Sequence, residues 1–485
     1  MPGANGRGGT LVPALVVIVP FAAALLLTAI PSWRAGARIN TGASMLCFLF
    51  ACALPAQVGE ASRLFLVDAQ AAHFALLTAF IAMTTAWFSG AYIQVELAVR
   101  RLDRRRLRLY HTLYQAFLGS MLLALLSNNT GITWVALEGA VIASVLIVAL
   151  PRSAEAVRAA WRFFIIGGVG IALAFFGTIV LYLAALPALG PGMLAMTWSE
   201  LFSAGRECDR AVLNLAFVFL LIGYGTKAAL APLHGWMPDA HAEGPTPVSA
   251  VLAGSALNVA LFIILRLRRV IAGNPSAIDP GPPIMALGLI SILIAVASLW
   301  SRRDVKRFFA YSSIEQSGVA AFAFGLGGPA ATFAGLLHLT LHTLTKASVF
   351  QCVGRAAQLK GGQKFADIAG LIPASPALGL SLAAGIIALA AVPPSGLFTS
   401  EFLIASASVR AAPLLAIPLM IGLVTGGWAV MARLQNLCLG VATPNKGPGP
   451  KPVALLPIWV QLALVLLLGL AMPAPIADWF ARAAG

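Results

Sequence analysis

Runs of about 20 apolar residues recur along the whole chain, and short polar segments separate them. This pattern predicts about fourteen membrane-spanning helices, so the expected fold class is an all-α polytopic membrane protein. The predicted spans lie near residues 10–30, 41–59, 66–92, 108–127, 131–150, 161–185, 211–236, 247–268, 282–300, 307–326, 331–354, 376–405, 412–438 and 453–473. No small-residue cleavage site follows the first span, which favours a retained helix over a signal peptide.

The stretch from Ala211 to Arg266 departs most clearly from a plain apolar helix. The seventh predicted helix carries Lys227 near its middle, and Pro232 interrupts it five residues later. A charge inside a span is costly unless it faces protein or water, and a broken helix at membrane depth is tolerated where it lines a cavity. The pattern therefore favours an ion or proton path at this break. An ordinary proline kink, with the lysine reaching toward an interface, is the alternative.

A polar turn follows this break and leads into the eighth predicted helix, from Val248 to Leu265. We expect the turn to be a hairpin. Its ionisable residues are Asp239, His241 and Glu243.

The basic residues lie between the spans and are not gathered on one face or tail. The chain has a net charge of +15, but only 10% of its residues are charged and 60% are hydrophobic. This distribution is a membrane-topology signal, and it argues against nucleic-acid binding. The connections on one side carry 20 of the 32 lysines and arginines, and the turn at residues 100–106 dominates that count. The other side, which includes both termini, carries nine, namely Arg7, Arg63, Arg206, Arg210, Arg266, Arg268, Arg269, Arg410 and Arg482.

Because the more basic side is normally cytoplasmic, both termini are predicted on the non-cytoplasmic side of the cell inner membrane. The five cysteines form no CxxC pair or His/Cys cluster, and no nucleotide-binding fingerprint is present. The sequence therefore predicts no metal, no cofactor and no redox centre in this chain.

Two glutamates lie within the predicted spans. Glu138 is in the middle of the fifth span, where a carboxylate needs a nearby cation, and Lys227 is the obvious candidate. Glu315 lies about three turns from the basic segment at residues 302–307, so an interfacial position and a functional one are equally open.

The eleventh span carries His338, His342 and Lys346. Spacing of four residues places all three on one face of a helix. A single buried histidine is usually a satisfied core residue. Two histidines and a lysine in register favour a proton relay, because imidazole titrates near neutrality.

The twelfth span is broken by Pro393 and Pro394, and Glu401 follows two turns later. The two glutamates at 138 and 315 are 177 residues apart, and Lys227 and Glu401 are 174 apart. This spacing indicates an internal repeat, although the match is architectural only, because Pro232 follows its charged residue whereas Pro393 precedes Glu401. Two five-helix units are inverted relative to each other because five is odd, and inverted repeats with broken helices are a transporter architecture. The expected units are residues 1–107 (helices 1–3), 108–270 (helices 4–8), 280–440 (helices 9–13) and 441–485 (helix 14).

These motifs resemble one family: the antiporter-like membrane subunits of respiratory complex I, of membrane-bound hydrogenases and of multisubunit cation/proton antiporters. The resemblance is carried by residues 227–241, which include Pro-Leu-His-Gly-Trp-Met-Pro-Asp-Ala-His, and by residues 304–315. Gly-Tyr-Gly-Thr-Lys227 and the glutamate after Ser-Ser-Ile look most like the F-type subunit of hydrogenase-4 complexes.

The resemblance implies fourteen helices with breaks in helices 7 and 12. The largest family members carry a long lateral helix, which this chain is expected to lack because it ends near helix 14. It implies a half-channel with Glu138 paired to Lys227, with His234 in the shared motif. It also implies a central relay and a terminal group in the other half, formed by His338, His342, Lys346 and Glu401. Many members carry a lysine where this chain has Asn258, and an asparagine cannot carry a proton.

The sequence therefore leaves three alternative functions, of which the first is preferred. The first is proton translocation in a complex whose redox chemistry resides in a peripheral module of other chains. The second is Na⁺ or K⁺ exchange for protons in a multisubunit antiporter. The third is a structural subunit whose channel is degraded. The same residues serve the first two.

Overall fold

A computed structural model describes residues 10–99 and 102–485. These residues form a helical bundle without a β-strand, so the all-α class is confirmed. The helices are α1 (Leu11–Ala29), α2 (Trp33–Ala51), α3 (Ala69–Ala98), α4 (Arg104–Leu126), α5 (Thr130–Val148), α6 (Ala154–Leu189), α7 (Trp198–Ala204), α8 (Arg210–Lys227), α9 (Met237–Glu243), α10 (Thr246–Val251), α11 (Leu257–Ala272), α12 (Gly281–Leu299), α13 (Val305–Leu326), α14 (Gly328–Lys360), α15 (Leu371–Ala374), α16 (Pro376–Leu389), α17 (Gly396–Ala411), α18 (Pro413–Leu434), α19 (Leu456–Leu470) and α20 (Ala474–Ala484).

Each of the predicted spans coincides with a helix or with a broken helix pair. Eleven helical segments within the described ranges are long and apolar enough to cross a membrane. The other predicted spans are α13 and α14, which carry buried polar and charged side chains, and the α16–α17 pair, which is interrupted. The total of fourteen membrane crossings stays a prediction. Arg7, Arg100 and Arg101 lie outside the described residues.

Many of the helices begin at a short polar side chain. Asp68, Asp103, Asn129, Asp209 and Asp304 each accept a hydrogen bond from the backbone N–H three residues later. Such a cap satisfies one of the N–H groups that the first helical turn leaves unpaired. The spans therefore start at defined positions, although their apolar interiors carry little positional information.

The seventh span ends differently from its prediction. Lys227 is the last residue of α8 and not a mid-helix residue. Ala229 has a φ of 55°, and the N–H groups of Ala229 and Leu230 donate to the carbonyls of Thr226 and Gly225. A residue in the left-handed region closes a helix in this way, and the carbonyl end of a helix favours a cation. The lysine thus lies where the helix stops.

The break in the twelfth span has the same geometry. Ala391 has a φ of 52°, and the N–H groups of Ala391 and Val392 donate to carbonyls three and five residues earlier. The two left-handed alanines are 162 positions apart, so at the breaks Leu389 corresponds to Lys227. The spacing of 174 residues inferred from the charges therefore does not describe the breaks. The shared helix endings support the repeat, whose boundaries and inversion stay predictions.

Three further local features differ from the sequence prediction. The polar turn after the break is a helix, α9, and not a hairpin, because backbone bonds such as Ala240 N–H to Trp236 C=O continue a helical turn. The eighth span contains a π-helical turn between α10 and α11, at Leu252–Ala256. Two short helices, α7 and α20, lie outside the predicted spans.

Candidate functional site

The first half of the bundle brings Glu138 of α5 and Lys227 of α8 to the same region, but not into contact. Lys227 is only 4% exposed, and its Nζ has no hydrogen-bond partner. Oε2 of Glu138 is likewise buried without one. The two charges attract each other across the intervening space. Among the described residues, no salt bridge joins the two side chains, and the pairing implied by the family resemblance stays a prediction.

A glycine of α6 makes room for the ammonium. A Cβ atom placed on Gly167 would lie 2.8 Å from Nζ of Lys227, closer than packed atoms allow. One turn further along α6, Gly170 gives the same room to the side chain of Thr226. The position of Lys227 thus depends on the small residues of a neighbouring helix.

The broken segment after Lys227 is tied to both halves of the bundle. The indole N–H of Trp236 donates to the carbonyl of Thr226 at 2.9 Å, and its ring stacks on Phe163 of α6. The N–H of Ala231 donates to the hydroxyl of Ser291 in α12, at 2.8 Å. These bonds satisfy backbone groups that the helix end leaves unpaired.

His234 lies in this broken segment, partly buried. Its Nδ1 is buried and has no partner, and its ring centre is 6.3 Å from that of Tyr311 in α13. The sequence motif therefore places an imidazole between the two halves.

His241 of α9 is a residue whose importance the sequence reasoning missed. It is completely buried, both ring nitrogens lack partners, and the ring stacks on Phe350 of α14 at 4.8 Å. The charges of Lys306 and Lys346 both act on it. The available sequence signal for His241 was its position between two apolar spans, in a segment where ionisable residues occur at every second position.

A cavity of about 540 Å³ opens beside α9. Its lining includes Glu96, Glu243 and Lys306, and Nζ of Lys306 donates to the carbonyls of Ala242 and Gly244 at 3.4 and 3.2 Å. Burial raises the pKa of Glu243, and the nearby Arg307 and Lys306 oppose that rise. The cavity thus reaches the backbone on either side of Glu243, next to His241.

The second half contains the predicted relay. His338, His342 and Lys346 are at most 1% exposed, so their common face lies inside the protein. The two imidazole rings are parallel, with centres 6.4 Å apart, and Nε2 of each lacks a partner. Nζ of Lys346 donates to the carbonyl of Phe309 in α13 at 2.8 Å.

The relay connects to Glu401 through neighbouring side chains. Nδ1 of His338 lies 3.1 Å from the hydroxyl of Ser400, and the amide of Gln316 donates to Oε1 of Glu401 at 3.3 Å. Glu315 is 1% exposed and therefore lies inside the protein. A Cβ atom on Gly426 of α18 would collide with its carboxylate, so this glycine gives Glu315 its place. Ser400 and Gln316 each adjoin a glutamate, which was the only sequence signal for them.

A surface ion-pair network holds α9 in place. Asp239 pairs with Arg162 of α6 and with Arg307 of α13, the latter at 3.2 Å, and Glu243 pairs with Arg307 at 3.4 Å. The network therefore links the two halves at the helix that carries His241.

The fold and this buried polar line define an antiporter-like membrane subunit. Residues 127–426 match the family described as "NADH:quinone oxidoreductase/Mrp antiporter, TM". The chain belongs to this family, as its motifs indicated.

Similar proteins agree with that assignment. The hydrogenase-4 component F homolog of Methylacidiphilum infernorum (isolate V4) is 46% identical over 467 residues, which cover 96% of this chain and 98% of the relative. A chain of the archaeal membrane-bound sulfane sulfur reductase superposes with a TM-score of 0.85 at 20% identity, covering 98% and 97% of the two chains. A chain of the Mrp complex from Dietzia sp. DQ12-45-1b gives 0.84 at 19% identity, with the same coverage. These two structures show the shared fold.

Proposed function

We propose that this chain is the proton-translocating membrane subunit of a multisubunit complex of the hydrogenase-4 or NADH:quinone oxidoreductase kind, driven by redox chemistry in its partner chains. The observation that carries the proposal is the line of buried and half-buried ionisable side chains from Glu138 to Glu401, many of whose polar atoms have no protein partner. Buried polar groups of this kind are stabilised by water or by a transferred proton.

In the first half, Glu138 and Lys227 form the working pair. The carboxylate is the compensating charge near an ammonium that no hydrogen bond stabilises. When Glu138 takes up a proton, that compensation is lost, and Lys227 releases its own proton. The interrupted helix at Lys227 leaves backbone groups that can hold water beside the ammonium.

In the second half, protons reach the relay from the cavity beside α9. In this proposal His241 takes up a proton from the cavity, whose lining includes the adjacent Ala242, and passes it toward Lys346. His342 and His338 then carry it toward Ser400 and Glu401. An imidazole accepts a proton at one nitrogen and gives it up at the other, so a histidine can pass a proton on both at His241 and at His338.

Relatives of the chain are subunits of multisubunit membrane complexes, and we propose that other membrane subunits and a peripheral redox module are its partners. We also propose an inner-membrane location with both termini on the non-cytoplasmic side, because the opposite connections carry 20 lysines and arginines against nine. A reporter enzyme that is active only outside the cytoplasm, fused after Gly485, tests this orientation.

The function is tested with the assembled complex in sealed vesicles. Lys346→Met removes the charge at similar volume, so the complex should assemble while proton uptake per redox turnover falls by about tenfold or more. Lys451→Ala, an exposed lysine, is the control and should match the wild type.

Two outcomes would overturn the proposal. Unchanged uptake per turnover in Lys346→Met would mean that the channel of this chain does not carry the protons. Uptake that needs a Na⁺ or K⁺ gradient and is independent of redox turnover would identify the antiporter alternative.

A further inference from the structure

Four arginines line a second cavity, which lies at the opposite end of the bundle from the cavity beside α9. The cavity has a volume of about 580 Å³, and its lining includes Arg266, Arg268, Arg269 and Arg482 together with a single acidic side chain, Asp68. Like charges repel, so a cluster of guanidinium groups needs a compensating anion.

The acidic side chain compensates only one of them. Asp68 pairs with Arg266 at 2.8 Å, and Arg266 is almost fully buried. Within residues 10–99 and 102–485, no acidic side chain forms an ion pair with Arg268, Arg269 or Arg482. Arg268 lies near enough to Asp279 to be attracted by it, but its buried Nε has no partner. Asp68 and the terminal carboxylate of Gly485 supply two negative charges at the lining against four guanidinium groups, so positive charge remains at the cavity.

The guanidinium groups are also held in place. Aromatic rings lie under three of them, at the centroid distances 4.3 Å (Arg266 on Phe262), 4.3 Å (Arg269 on Phe202) and 5.4 Å (Arg482 on Trp479). Such stacking fixes the plane of a guanidinium and leaves its N–H edge free to bind an oxyanion. The cluster is thus prepared for a ligand before the ligand arrives.

The position of the cavity indicates the source of the anion. It lies at the ends of α3, α11 and α20, beside Thr332 in the first turn of α14, where apolar spans meet the polar surface. This is the depth at which phospholipid phosphates lie. Four of the nine arginines on the less basic side of the protein gather here.

We infer that this cavity binds the phosphate group of an anionic phospholipid. Arginine binds phosphate with paired hydrogen bonds, and basic pockets between transmembrane helices hold anionic lipid headgroups. The volume is that of a small-molecule site and would hold a headgroup, whereas a protein segment requires a much larger surface. Arg269 and Arg482, both exposed, supply the contacts to the phosphate, and the Arg266–Asp68 pair supports them.

The test compares lipid binding by the purified complex with the double variant Arg269→Gln/Arg482→Gln. The matched control is Arg206→Gln/Arg210→Gln, which removes two exposed arginines on the same side but outside the cavity. Native mass spectrometry counts the lipid that remains after delipidation, and titration with phosphatidylglycerol or phosphatidylcholine in nanodiscs gives the affinities. We expect the double variant to bind phosphatidylglycerol roughly thirtyfold more weakly than the wild type and the control.

The inference would be overturned if the wild type and the double variant bound phosphatidylglycerol equally. It would also be overturned if the wild type bound phosphatidylcholine as tightly as phosphatidylglycerol. A third arm adds inorganic phosphate. If phosphate protects the wild type against heat while no lipid is retained, the ligand is a soluble anion and the lipid assignment is wrong. None of these readouts depends on proton transport, so the result stands whether or not the proposed function does.

Discussion

Asn258 donates a hydrogen bond from its side-chain amide to the hydroxyl of Thr343, at 2.8 Å, and thereby joins α11 to the relay helix α14. Both side chains are buried, and the amide oxygen of Asn258 has no partner. The hydroxyl of Ser255, in the adjoining π-helical turn, is also buried without one. The asparagine therefore leaves a polar contact between the halves of the bundle, although it cannot itself carry a proton.

We predict that Asn258→Leu interrupts transfer between the halves. The change removes a polar group that can hold a bridging water, and the loss of about one hydrogen bond from the path slows transfer about tenfold. Proton uptake per redox turnover in vesicles measures the effect. Thr343→Ser keeps the hydroxyl and serves as the control. Full uptake in Asn258→Leu would mean that protons cross between the halves elsewhere.

A second prediction concerns the ion pairs that hold α9. Arg307→Gln removes one of the two partners of Asp239, which keeps Arg162, and removes the ion-pair partner of Glu243. Because Arg307 is 39% exposed, each pair contributes less than about 1 kcal/mol, and salt should reduce that contribution. Thermal unfolding of the purified complex at low and high salt measures this. Arg158→Gln, which breaks an exposed pair within α6, is the control, and an equal shift in both variants would show that the network does not stabilise α9.

Hydropathy predicted the helices well because long apolar runs leave few alternatives in a membrane. Pro232 indicated the break, but the sequence did not show that α8 already ends at Lys227. An alanine gives no sign that its backbone is left-handed, as it is at Ala229. Hydropathy also misjudged α9, because seven residues are too few to show helical periodicity. Tertiary contacts hold the backbone at this break, such as the hydrogen bond from the N–H of Ala231 to the hydroxyl of Ser291.

The site was predictable in part for a related reason. Ionisable residues in apolar spans stand out, so Lys227, His338, His342 and Lys346 were found from the sequence alone. Whether two such residues form a hydrogen bond depends on a few ångströms of packing, so the sequence could not show that Glu138 Oε2 and Lys227 Nζ both lack a hydrogen-bond partner. Neutral side chains that bridge charges, such as Gln316, carry no comparable signal.

The third prediction tests His241 as a proton carrier. His241→Phe keeps an aromatic ring against Phe350 and removes both nitrogens, so the complex should assemble while proton uptake falls by about a hundredfold. The control is His111→Phe, because His111 is also buried with two unpartnered nitrogens but packs against Gly36 of α2. If both variants behave alike, burial of an imidazole and not proton transfer is what matters at His241.

The last prediction uses two adjacent glycines of α6 to separate the position of Lys227 from its charge. A methyl group at Gly167 would lie 2.8 Å from Nζ, whereas one at Gly168 would meet nothing within 4 Å. Both changes favour the helix equally, so they differ only in whether the ammonium must move. Gly167→Ala should therefore leave the complex assembled and lower proton uptake per turnover about tenfold, a barrier increase of about 1.4 kcal/mol, and Gly168→Ala should match the wild type. Lys227→Arg, which keeps the charge but cannot release a proton, should also fail. Normal uptake in both Gly167→Ala and Lys227→Arg would show that Lys227 is only a fixed charge and that the proton exchange with Glu138 does not occur.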